Sequence, residues 1–81
     1  MDERELTRAI RLSIAAELDA VHLYELIADA TDNKNVKKVM QDVANEEKTH
    51  AGEFEALLET LDKDNVKLKE EGYREVKNLT K

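Results

Sequence analysis

The sequence predicts an all-α protein: an antiparallel hairpin of two long helices and a short C-terminal helix, which completes a four-helix bundle by pairing with a second copy. Three observations carry that prediction. The 81 residues contain no proline, only 4% aromatics and 40% charged residues, a composition that favours helices. Apolar residues recur at alternating steps of four and three along two long stretches. A short polar segment, Thr31-Asp32-Asn33-Lys34-Asn35, separates the two and is rich in residues that cap helices and make turns.

The first helix is expected from about Glu5 to Ala30 and the second from about Asn35 to Leu61, and so short a connection makes them antiparallel neighbours. Asp62-Lys63-Asp64-Asn65 reads as a second break, with Asp64 or Asn65 as the cap of the next helix. That third helix, from about 65 to 80, should be interrupted near Gly72 and make its apolar contacts through Val66, Tyr73, Val76 and Leu79. All 81 residues form one domain.

In the second helix the stepping passes through Val36, Met40, Val43, Glu47, His50, Phe54, Leu57 and Leu61. Two adjacent slots of this otherwise apolar seam are polar, Glu47 and His50. In the first helix it passes through Ile10, Ile14, Glu17, Val21, Tyr24 and Ala28, with a carboxylate again in a core slot. Beside that seam lies a second row rich in small residues: Ala9, Ser13, Ala16, Ala20, Leu23, Ile27 and Ala30. One partner helix cannot cover both rows, so self-association is expected.

Size and charge narrow the classes further. Chains this short bury only about 60% of their unfolded surface and commonly rely on disulfides, a metal or a partner. Without cysteine, disulfides, thiolate metal sites and cysteine nucleophiles are excluded. The net charge of −6 and the lack of a basic stripe argue against nucleic acid. No apolar run approaches the roughly 20 residues of a membrane span. The charged start, Met1-Asp2-Glu3-Arg4-Glu5, does not resemble a signal peptide, so a cytoplasmic location is expected.

Carboxylates placed in a core demand a compensating partner. Glu47-Glu-Lys-Thr-His50 contains Glu-x-x-His, which sets both side chains on one helical face a turn apart. Di-iron carboxylate bundles use a Glu from each of two helices and a Glu-x-x-His pair from each of the other two. This chain carries half of that set in Glu17, Glu47 and His50. Two copies supply four glutamates and two histidines, whose four negative charges match two divalent irons per dimer. Oxygen and imidazole donors also suit manganese or zinc. The competing reading is a polar layer that fixes register in a non-catalytic hairpin. Tyr24, two turns after Glu17 on the same seam, reads equally as a hydrogen-bond partner of a ligand carboxylate or as a core aromatic. His22 points away from that face and reads as a surface residue, as do Glu25, Glu46, Glu53 and Glu55.

Around these residues the chain closely resembles the encapsulated ferritins. The strings Ala16-Glu-Leu-Asp-Ala-Val-His-Leu-Tyr24-Glu and Asp42-Val-Ala-Asn-Glu-Glu-Lys-Thr-His50-Ala-Gly-Glu-Phe54 carry the likeness, which covers Ile10 to about Leu61 and continues more loosely to Leu79. The resemblance implies a ferritin-like bundle whose ferroxidase centres form only where two subunits meet. It implies rings of such dimers, decamers in the family, inside an encapsulin shell that stores oxidised iron. Glu17, Glu47 and His50 match the family's iron ligands, and Tyr24 matches its supporting tyrosine. Ala16 and Leu23 depart from members that carry Glu and Trp there, while Asp19 keeps an acidic group nearby. A rubrerythrin-like peroxide reductase is the alternative chemistry, weakened because no cysteine is present to build an electron-entry centre.

Overall fold

A computed structural model describes every residue from Met1 to Lys81. It contains three helices, α1 (Glu3–Ala30), α2 (Lys34–Leu61) and α3 (Lys63–Leu79), and no strand. Asp2 caps α1, its carboxylate accepting from the Glu5 N–H at 2.7 Å, while Glu3 and Glu5 place negative charge against the positive end of the helix dipole. The first turn therefore begins ahead of Glu5. Asn33 caps α2 by accepting from the N–H groups of Asn35 and Val36, at 3.0 and 3.1 Å. The polar break shrinks to Thr31–Asn33, and α1 and α2 lie antiparallel along their length.

The junction after Leu61 differs from expectation. Asp62 alone ends α2 and begins α3, its carboxylate accepting from Asn65 N–H at 3.0 Å, so Asp64 and Asn65 lie inside the helix. Gly72 does not interrupt α3. Its backbone dihedrals are not in the left-handed region and nothing crowds it, so the helix continues at the modest propensity cost of one glycine. Of the apolar contacts expected from α3, only Val66 is half-buried, while Tyr73, Val76 and Leu79 face solvent. No α3 residue is buried, and the helix meets only α2.

The core is a pair of seven-residue ladders: Ile14, Val21 and Ala28 of α1 against Ala44, Ala51 and Leu58 of α2. Thr7 extends the first ladder, its hydroxyl donating to the Glu3 carbonyl at 2.8 Å. The α1 seam lies where its periodicity puts it. The α2 seam is turned: Met40, Glu47, Phe54 and Leu61 are half-buried beside the buried alanines, whereas Val36, His50 and Leu57 are exposed. Ala44 and Ala51 are buried with only a methyl side chain, which permits close packing of the helices there. The row Val36–Val43–His50–Leu57 is thereby rotated toward the open face. On α1 the second row is left uncovered too, with Ala16, Leu23, Ile27 and Ala30 exposed and Ala9, Ser13 and Ala20 half-buried.

The chain is one helix thick, with extents of 45 × 43 × 13 Å. Its radius of gyration is 16.4 Å, against about 12 Å for a compact domain of this length. Its accessible surface is 6443 Å², roughly 1,500 Å² more than a compact monomer of this mass exposes. Both measures describe a single layer with its apolar rows open. No helix is long and apolar enough to cross a membrane.

Candidate metal centre

Glu17 comes from the middle of α1, while Glu47 and His50 come from the middle of α2. The antiparallel register brings the three level, and one ligand atom from each lies within 4.8 Å of the others. His50 Nδ1 stands 3.7 Å from Glu17 Oε2 and 3.8 Å from Glu47 Oε2. Both separations exceed a hydrogen bond, about 2.7–3.2 Å. Both are shorter than twice a metal–ligand bond of about 2.0–2.2 Å. The gap suits a cation between the donors better than direct contact.

Burial points the same way. The Glu17 and Glu47 side chains are only 21% and 19% exposed, and Glu17 Oε2 is fully buried with no hydrogen-bond partner. An unpartnered buried carboxylate oxygen is costly, and a bound cation relieves that cost. The His50 side chain is 47% exposed and lies on the open face. The trio is thus enclosed on the hairpin side and open on the other. Two carboxylates and an imidazole form a donor set that fits iron or a similar divalent ion. Three side chains leave such an ion with vacant positions toward the open face.

Tyr24 is half-buried on the same side of α1 as Glu17, two turns or roughly 10 Å further along. His22 is exposed, as are Glu46 and Glu53. Glu25 and Glu55 are corrected from free surface groups to half-buried partners of lysines: Lys48 meets Glu25 at 2.9 Å and Lys69 meets Glu55 at 3.0 Å. The hydrogen bond to Glu55 is the main cause that raises the Lys69 pKa above its ordinary 10.5. With Arg11–Asp62 these pairs form a polar flank that reading for apolar residues alone overlooks. Its signal was present in the sequence: Arg11, Leu18 and Glu25 form one seven-residue row, and Lys48, Glu55 and Asp62 another.

The fold is that of ferritin-like proteins, and comparison with known proteins agrees. The rubrerythrin family model matches residues 9–81. The crystal structure of the encapsulated ferritin domain from Pyrococcus furiosus superposes with a TM-score of 0.96 at 49% identity, over 99% of this chain and 82% of that one. A ferritin-like–encapsulin shell fusion protein of P. furiosus is 50% identical over 78 residues, 96% of this chain and 23% of that protein. Encapsulin nanocompartment cargo protein EncC of Myxococcus xanthus is 50% identical over 62 residues, 76% of this chain and 48% of that protein. The chain spans from about a quarter to about half the length of these two curated relatives. It belongs to the encapsulated ferritins, within the ferritin-like rubrerythrin family.

Proposed function

We propose that the chain is a ferroxidase whose di-iron centre is shared by two copies. The observation that carries this reading is Glu17 Oε2, buried and unpartnered beside Glu47 and His50 on a layer whose same face is open. Two copies packed face to face about a two-fold axis cover the small-residue row of α1 and the Val36–Val43–His50–Leu57 row of α2. They also assemble four glutamates and two histidines around two ferrous ions.

Ferrous iron is the substrate. The glutamates of both helices chelate or bridge the pair, and His50 binds each iron through one ring nitrogen. Tyr24 hydrogen-bonds a ligand carboxylate and holds its orientation. Carboxylates keep the two ions close enough to deliver two electrons to one oxidant. Two ferrous ions then become ferric while dioxygen takes two electrons and two protons and leaves as hydrogen peroxide. Iron storage and detoxification is the purpose that the resemblance to shell-associated relatives supports, with the protein housed in an encapsulin compartment.

A larger ring needs a second interface. The outer edge of α1, where Leu12 and Leu26 are exposed, supports one, as does the apolar edge of α3. The test of the activity is aerobic addition of ferrous iron, followed by the absorbance of ferric product. Wild-type protein oxidises iron well above the buffer rate, and Glu17→Ala and His50→Ala reduce it to that rate. Unchanged oxidation in both variants overturns the assignment.

A further inference from the structure

One carboxylate holds three helices in register at the joint between α2 and α3. Asp62 is the sole non-helical residue there, and its backbone N–H still closes α2 by donating to the Leu58 carbonyl at 2.9 Å. Its Oδ1 accepts from Asn65 N–H at 3.0 Å, which ties down the first turn of α3. Its Oδ2 accepts from the Arg11 guanidinium on α1, 51 positions away in the chain. The Asp62 side chain is 26% exposed and that of Arg11 46% exposed, so this strap is partly open to solvent and its ions.

Little apolar contact backs up the strap. No residue of α3 is buried, Val66 alone of its apolar residues is half-buried, and its other polar tie is Lys69 to Glu55, about two turns further on. Helices are ordinarily oriented by packing an apolar stripe. Here the apolar residues Leu68, Val76 and Leu79 face outward, while polar contacts fix the direction of the axis.

We propose that Asp62 and Arg11 form an ionic-strength-sensitive elbow that aims α3. With Arg11 engaged, the Asp62 carboxylate is held in the plane that caps α3, and the arm keeps one direction. With the pair screened or removed, the cap persists but loses its anchor on α1. The arm then samples a range of directions without melting. The elbow acts independently of the metal centre, because none of its groups is among the iron ligands. It controls where the outward apolar edge of α3 is presented to a neighbour.

The absence of native cysteine allows a direct test. Spin labels at Ala15→Cys on α1 and Asn78→Cys on α3, with labelled protein diluted into unlabelled chains, report the intrachain distance by double electron–electron resonance. In low salt the labelled, otherwise unchanged protein should give one narrow distribution. Arg11→Gln should at least double its width while helix content by circular dichroism stays constant. Asp62→Asn should do the same, because asparagine keeps the cap and lacks the charge. Salt at 1 M, where the screening length falls to about 3 Å, should broaden the unaltered elbow toward that of Arg11→Gln and change that variant little. Restoring the pair with Arg11→Lys should recover most of the narrow distribution. The proposal is overturned if Arg11→Gln or Asp62→Asn leaves the width unchanged, or if the unaltered elbow is already broad in low salt.

Discussion

Replacing Glu17 by methionine should make the metal-free protein more stable, not less. Glu17 Oε2 is buried without a hydrogen-bond partner, between the core residues Ile14 and Val21 of the same helix. Leaving such an oxygen unsatisfied costs about 1–3 kcal/mol. Because the side chain is still 21% exposed, the lower part of that range applies, and methionine adds a little apolar burial, for a net gain of about 1–2 kcal/mol. For a domain this small, each kcal/mol moves Tm by roughly 4–8 °C. Thermal unfolding after chelation should therefore place Glu17→Met several degrees above wild type. Iron should then stabilise wild type only, by about 2.7 kcal/mol at a hundredfold excess over Kd. A polar layer kept for register predicts the same gain without metal but no stabilisation of wild type by iron. If Glu17→Met is less stable without metal, or if iron stabilises it as much as wild type, the reasoning is refuted.

Other perturbations follow from the fold. Leu58→Ala should cost about 2–5 kcal/mol in denaturant unfolding, because Leu58 is 4% exposed and anchors the end of the core ladder. Gly72→Ala should stabilise by up to about 1 kcal/mol, since the position is helical and nothing lies within 4 Å of an added Cβ. Asn33→Ala should cost about 1 kcal/mol through loss of two accepted N–H bonds and leave iron oxidation per folded dimer intact. Lys69 has a raised pKa in the folded chain, so its pair with Glu55 contributes fully below 10.5 and fades as pH rises through the higher folded value. Unfolding followed across that alkaline range should show the loss in wild type and not in Lys69→Met.

The sequence was most readable where one physical effect acts alone. The hairpin follows from its short polar turn, which holds the Asn33 cap, whereas the Asp2 cap lies ahead of the start expected at Glu5. The α1 seam, including Glu17, follows from period alone, because Ile14 and Val21 are both large and buried. On α2 two effects compete. Stepping between large apolar residues favours Val36, Val43 and Leu57, yet the buried positions are Ala44, Ala51 and Leu58, and the small size of the alanines makes them easy to pass over. That rotation is what leaves His50 on the open face. Asp62 was obscured by neighbours equally able to cap, and what selects it is a guanidinium 51 residues earlier. Gly72 signals a break by propensity, but no turn is required of it here, so the cost is absorbed. The candidate trio stood out because polar residues at core spacing contradict their surroundings, and the structure adds their proximity and the orphaned oxygen.

The proposed function requires a metal centre shared by two copies. Crystals of the protein soaked anaerobically in ferrous iron, with anomalous diffraction collected at the iron edge, examine that centre directly. The expected map has two iron peaks at the seam between two chains, each reached by Glu17, Glu47 and His50 side chains drawn from both. Iron held within a single chain, or no peak beside Glu17, would contradict it.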